Sequence, residues 1–228
     1  MSDLRLKRQV SSVTRLNDDA QWMNLRGTRD GAMISADWLT AMALEGRCFG
    51  VNAGTATAPA TLRAAYADGE QDLYIIVPDG TTMIPVFIQI NFEDTGSVDV
   101  VDVMAVASST YDASVTATAT QTIYNMRMDA PYTSGCTSSS AISAGGTACL
   151  SGNFIEFWRG NAGKVQDSFN TLITPTNELV ARTTWTVRDS LVPPVIVGPG
   201  SLNVFASGQA PFGFITAIWV ELPSTSIK

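Results

Sequence analysis

The chain has 228 residues, a formal net charge of −7 from 14 Lys and Arg against 21 Asp and Glu, and no histidine. That length buries a core without cross-links and suits one large domain preceded by an arm. The acidic balance argues against a nucleic-acid partner. The missing histidine removes the usual general base at neutral pH and every Ser-His or Cys-His nucleophile pair. With no apolar run of about 18 residues and no apolar segment behind the basic residues of MSDLRLKRQVSSVTRL, neither a membrane span nor a secretory signal is expected.

Residues 1–30 carry scattered apolar positions without a firm period, which reads as an extended arm. Its basic residues Arg5, Lys7, Arg8 and Arg15 make it an anchor, because the stretch 64–126 contains no Lys or Arg and is rich in Asp and Glu. Ser35 as N-cap, Asp37 in the first turn and Gly46 at the end predict one helix over 36–45. Trp38, Leu39 and Met42 give it an apolar face, and so short a helix must dock on the β-domain or on a neighbouring subunit. The arm and helix occupy 1–47 and the β-domain 48–228.

A short strand over 48–53 leads into a small-residue loop, GTATAPAT. Strands over 73–77 and 82–92 flank Val77-Pro78-Asp79-Gly80, which reads as a type I turn closing a hairpin. Pro85 lacks a ladder donor, so the second of these strands lies at an edge or a bulge. Further strands over 98–107, 119–128, 153–159 and 179–188 bring the total, with the C-terminal set, to eight to ten. The intervals 108–118 and 131–151 are long insertions, suited to Greek-key or jelly-roll connections. The absence of long helical periods after Gly46 excludes βαβ units. The fold class is therefore all-β, a jelly-roll-type β-sandwich with an extended N-terminal arm and one short helix.

At the C-terminus, Gly198-Pro199-Gly200-Ser201 has the residues of a type II turn between antiparallel neighbours. The following strand alternates Leu202, Val204 and Ala206 with Asn203, Phe205 and Ser207. From Phe214 to Leu222 both faces are apolar, with Phe214, Ile218 and Val220 on one and Ile215, Ala217 and Trp219 on the other. The second face must meet another sheet, the N-terminal segment or another subunit. A subunit is the reading adopted, with Phe214, Ile215, Ile218, Trp219 and Val220 as the oligomer interface.

Candidate chemistry is thin. Asp94-Thr95-Gly96-Ser97 matches the D-T-G-S core of aspartic proteases, but Glu93 stands before it where those enzymes have apolar residues, and there is one copy, so a turn residue is the expectation for Asp94. Asp99, Asp102 and Glu156 are carboxylates without a spacing that unites them in a glycosidase pair, and Asn91, Glu93, Asp94 and Asp99 lack the order of an EF-hand loop. Phe154, Phe157, Trp158 and Trp185 would make a sugar platform if exposed, and core if not. Of three cysteines, Cys136 and Cys149 flank a small-residue loop, and free thiols are expected over a bridge. Three isolated cysteines and no histidine give no zinc site. No catalytic, cofactor or metal residue is assigned.

The polar arm, RGTRDGAMISADWLTAMALEGRCFG leading into GTATAPAT, DLYIIVPDGTTMIPVFIQI and the C-terminal GFITAIWVEL together resemble virion structural proteins of tailed bacteriophages, of the jelly-roll decoration, cement or minor capsid type. The resemblance implies a non-enzymatic structural subunit in a symmetric homo-oligomer, a trimer above all. It would be bound to a major capsid protein or other virion proteins, be located in the virion after assembly in the host cytoplasm, and have no nucleic-acid or membrane partner. The alternative is a receptor- or carbohydrate-binding fibre head, which would show aromatic residues exposed at loop tips.

Overall fold

The computed structural model of the protein describes residues 5–8, 21–24, 37–55, 57–63, 66–94, 100–144, 150–163, 182–207 and 211–226. In the arm, β1 (Arg5–Arg8) pairs antiparallel with β2 (Gln21–Asn24), Arg5 opposite Asn24, so this segment is a strand pair where an extended chain was expected. Arg15 and Ser35 lie outside the described residues. The helix α1 (Trp38–Leu44) begins after Asp37, which is its N-cap and makes no side-chain capping bond. Its end is as expected. Gly46 takes φ +73°, and the N–H groups of Gly46 and Arg47 donate to the carbonyls of Ala43 and Met42, a Schellman closure that only a residue tolerant of positive φ allows cheaply.

Among the described residues thirteen strands follow: β3 (Cys48–Ala53), β4 (Ala60–Thr61), β5 (Leu73–Val77), β6 (Thr81–Asp94), β7 (Val100–Ser108), β8 (Thr116–Gln121), β9 (Ile123–Asn125), β10 (Thr137–Ala144), β11 (Phe154–Gly163), β12 (Arg182–Thr186), β13 (Ile196–Val197), β14 (Gly200–Ala206) and β15 (Phe212–Pro223). One sheet runs β11-β7-β14-β5-β10-β8; the other runs β12-β6-β15-β3-β9, with β13 also on β6 and β4 on β15. Every described pairing is antiparallel. The two sheets pack as a β-sandwich. Leu73, Ile75, Val103 and Leu202 of the first belong to the same buried cluster as Ile88, Ile90, Ile215 and Trp219 of the second.

Two connections read as hairpins instead cross between the sheets. β5 pairs with β10 and β14, whereas β6 pairs with β12, β13 and β15, so 73–77 and 82–92 do not form a hairpin. The turn between them is shifted by one residue. Thr81 N–H donates to Pro78 O at 3.2 Å, and Gly80 has φ +80° at the third position, which is type II rather than type I. Likewise β13 belongs to the second sheet and β14 to the first, with a cis Gly198-Pro199 bond between them. There Gly198 N–H donates to Thr81 O at 2.8 Å, and a Cβ on Gly198 would stand 1.9 Å from Pro78 O, so the two crossings are pressed together backbone to backbone. We expect Gly198→Ala to cost about 2 kcal/mol or more in chemical denaturation, because neither backbone can yield without loosening its own sheet.

Pro85 is the point where β6 tolerates a missing donor. The ladder to β15 passes from Ile218 opposite Phe87 to Trp219 opposite Pro85, leaving Val86 as the extra residue, and on the other side Pro85 falls in the gap between β12 and β13. β10 lies inside the interval read as an insertion, and the strand read over 119–128 is split, β8 joining the first sheet and β9 the second.

Around Tyr74, Ser201 and Phe205 the outer face of the six-stranded sheet is covered. Tyr74 hydroxyl donates to Asp112 O at 3.3 Å and accepts from Asp112 N–H at 2.7 Å, and Ser201 hydroxyl donates to Thr110 O at 2.7 Å, so the loop after β7 lies over this sheet. Leu150 packs on Phe205, Met104 and Val106. Beneath the loop runs a polar seam of Gln71, Asp72, Ser201 and Asn203, all buried.

Candidate functional site

The residues assigned to an oligomer interface do not share a surface. Ile215, Trp219 and Val220 are each 0 % exposed within one chain, and Trp219 Nε1 donates to Glu221 Oε1 at 2.7 Å. They have nothing to offer a second subunit, which corrects that expectation for these three. Phe214 and Ile218 are half-buried on the outer face. The helix is tied to the rest of the chain at both ends: Asp37 before α1 lies 3.9 Å from Arg188 beyond β12, and the carbonyl of Leu44 at its end accepts from Arg127 Nη1 beyond β9. Leu39, Met42 and Ala43, at i, i+3 and i+4, are its half-buried side, while Trp38 stays 42 % exposed.

Where β3 and β15 meet the loop before β10, there is a cleft of about 280 Å³ lined by residues including Arg47, Phe49, Thr81, Tyr132, Gly135 and Glu221. Glu221 is buried, and its carboxylate accepts from Trp219 Nε1, from Ser134 hydroxyl and, at 3.0 Å, from Gly135 N–H. The Arg47 guanidinium sits 4.3 Å above the Tyr132 ring. Cys136 lies beside them as a free, buried thiol, pushed up by burial and by the neighbouring Glu221 carboxylate. A thiol so protonated is no nucleophile. The cleft's polar groups are spent holding the loop to β15. Cys48 is also free, buried and pushed up by burial, and Cys149 lies outside the described residues.

The other candidates are scattered. Asp94 ends β6 opposite Phe212, and Thr95, Gly96, Ser97 and Asp99 lie outside the described residues. Asp102 is exposed on β7. Glu156 is exposed on β11 and bonded to Arg159 at 2.7 Å through both oxygens, which holds its carboxyl below the ordinary range. Among the described residues no group of three His, Cys, Asp or Glu could hold a metal. Of the four aromatics, Trp185 is core, Phe157 stacks edge-on against it with centroids 4.9 Å apart, Trp158 is half-buried, and only Phe154 is exposed. They form no platform.

What sequence reasoning missed is a set of apolar residues left outside. Phe154 and Ile155, 53 % and 59 % exposed, open the edge strand β11. Leu191 and Val192 are wholly or mostly exposed on a proline-braced loop after β12. Across the molecule, Tyr124 on the edge strand β9 is 60 % exposed, with Met126 and Met128 exposed just beyond it. No single-chain pattern marks them, because alternation tells which face is apolar and not whether a neighbour covers it. Comparison with protein-family models, curated proteins and solved structures finds no match to this chain.

Proposed function

We propose that this protein is a non-enzymatic structural subunit of a virus particle, a capsid decoration, cement or minor capsid protein that works through homo-oligomeric contacts and contacts with other virion proteins. The observation that carries the reading is a sandwich with a closed core whose edge strands nevertheless leave Phe154, Ile155 and Tyr124 in water, the expected condition of a part made to be covered by neighbours. The winding supports the jelly-roll form of the fold: β5, β6 and β7 alternate between the sheets, and β14 returns to lie between β5 and β7. The arm, helix and C-terminal segments that resemble phage virion proteins supply the particle. The fibre-head alternative rests on Tyr132, an exposed loop aromatic, but its ring is already occupied by Arg47.

The test is mass and company. In solution the protein should have a mass of at least twice the 24.3 kDa of one chain, and it should co-sediment with particles. A monomer that sediments apart from particles would overturn the reading, and retention on a glycan surface would favour the alternative.

A further inference from the structure

β11 is held on one side by β7, and among the described residues no strand pairs its other edge. It is a ten-residue strand carrying Phe154 on one face and Ile155 on the other, both exposed, at the edge of a six-stranded sheet. We propose that β11 pairs antiparallel with β11 of a second copy about a two-fold axis, with Glu156 opposite Arg159 of the other copy, so that two first sheets become one continuous sheet. The proposal rests on the assembly reading above and names its contact.

Charge and register select this partner. The ladder to β7 runs from Glu156 opposite Val106 directly to Trp158 opposite Ala105, leaving Phe157 as an extra residue. The alternation of faces is reset there. Ile155, Trp158, Gly160 and Ala162 stand opposite Ala107, Ala105, Val103 and Val101, all members of the inner core, so they share the inner face. Phe154, Glu156, Arg159 and Asn161 share the outer one. A strand set against its own copy with an axis between Phe157 and Trp158 opposes residues of odd offset, which in a regular strand would set an outer side chain against an inner one. The extra residue removes that mismatch. Outer then meets outer, Glu156 with Arg159 and Phe154 with Asn161, while inner meets inner, Ile155 with Gly160. The acid and the base are self-complementary only in this antiparallel arrangement. Their bonds within one chain, 2.7 Å, are exchanged for equivalent ones between chains. Gly160 adds no side chain to the seam, its Cβ position being filled by Thr183 Oγ1 at 2.6 Å, so the opposing Ile155 packs beside that threonine. Such a contact joins copies in pairs, so a trimer would need a second and different interface.

A mixing experiment tests it. Glu156→Arg carries two bases on the edge and Arg159→Glu two acids, so each alone should run as a monomer, and an equimolar mixture should recover the dimer of the wild-type chain, at twice 24.3 kDa. A role confined to one chain would be lost in both variants and not restored by mixing. As a check that does not depend on those variants folding, Phe154→Cys combined with Asn161→Cys should give a covalent dimer on mild oxidation, since directly opposed residues have the Cα separation that a disulfide needs. The wild-type chain oxidised in parallel controls for its own thiols. Dimers that persist in both charge variants would place the contact elsewhere and leave the assembly reading standing. A wild-type monomer that also fails to join particles would overturn both.

Discussion

At pH 5, Asp72→Ala should lower the unfolding free energy by about 3 kcal/mol, and the loss should shrink as the pH is raised toward 8. Asp72 is buried at the entry to β5, where it joins segments far apart in the chain. Its carboxylate accepts from Arg63 N–H after β4 and from Ala206 N–H at the end of β14, at 2.5 Å for the latter, while its own backbone receives Ala141 N–H of β10 at 3.1 Å. Alanine would leave two buried donors without partners, at about 1–3 kcal/mol each. The pH dependence follows from burial, which pushes the carboxyl up to about 8 against the pull of those two donors and of the Arg63 guanidinium. Below about pH 4 the group is protonated in both folded and unfolded chains. Between about 4 and 8 the unfolded chain ionises it and the folded chain does not, so this residue's contribution to stability falls as pH rises, and it levels off above 8. Asp72→Asn is uncharged at every pH but keeps one acceptor oxygen and sets an NH2 against the other buried N–H, so it should be less stable than the wild type near pH 5, and the gap should narrow as the pH rises toward 8. A difference between the Asn variant and the wild type that stays constant or widens from pH 5 to pH 8 would show that the carboxylate is welcome in the fold.

Asp72 also shows where sequence reasoning reached its limit. It counted among the acids of an arm-binding surface, yet it belongs to a buried polar seam in which Gln71 Nε2 donates to Asn203 Oδ1 at 3.2 Å. The same chemistry hid β10. Thr137-Ser-Ser-Ser has neither apolar alternation nor β-branched side chains beyond the first residue, and it becomes a strand because β5 and β8 supply a ladder on each side, β8 also partnering the hydroxyls of Ser140 and Ser143 while Ser138 Oγ stays buried without a partner among the described residues. Where a strand carries its own hydrophobic signature the reading was good: β3 and β5 have the expected bounds, and Pro85 sits at a bulge. Turn residues told less. Pro-Asp-Gly between two apolar strands specifies a reversal of the backbone, and the same reversal serves a hairpin within one sheet or an arch between two. In the fold β5 is flanked on both sides, by β14 and β10, so it offers β6 no open edge. The exposed edges were illegible for a related reason, since exposure depends on what the rest of the chain leaves uncovered.

Trp219→Ala should separate the two accounts of the C-terminal strand. Had Trp219 faced a neighbour, its removal would shift the mass in solution and leave the melting of one chain nearly unchanged. In the fold it is fully buried between the sheets, within the cluster that holds Ile88, Ile90 and Ile215. Truncation of such a residue leaves a cavity that the two sheets cannot close without disturbing both ladders, at a cost of about 3–5 kcal/mol. A second effect adds to the first. Trp219 Nε1 is one of the donors that satisfy the buried Glu221 carboxylate, which also holds Ser134 and Gly135 and through them the loop leading into β10. Trp219→Phe keeps most of the volume and removes that donor, so the difference between the Phe and Ala variants reports the cavity, and the Phe variant alone reports the bond, about 1.5–3 kcal/mol for a charged acceptor. Chemical denaturation of the three proteins, with mass measured on the same samples, reads both quantities. A Trp219→Ala protein that melts with the wild type but changes its mass would return this strand to the interface. The expected result is the reverse: a large loss of stability, and an unchanged mass for the fraction that remains folded.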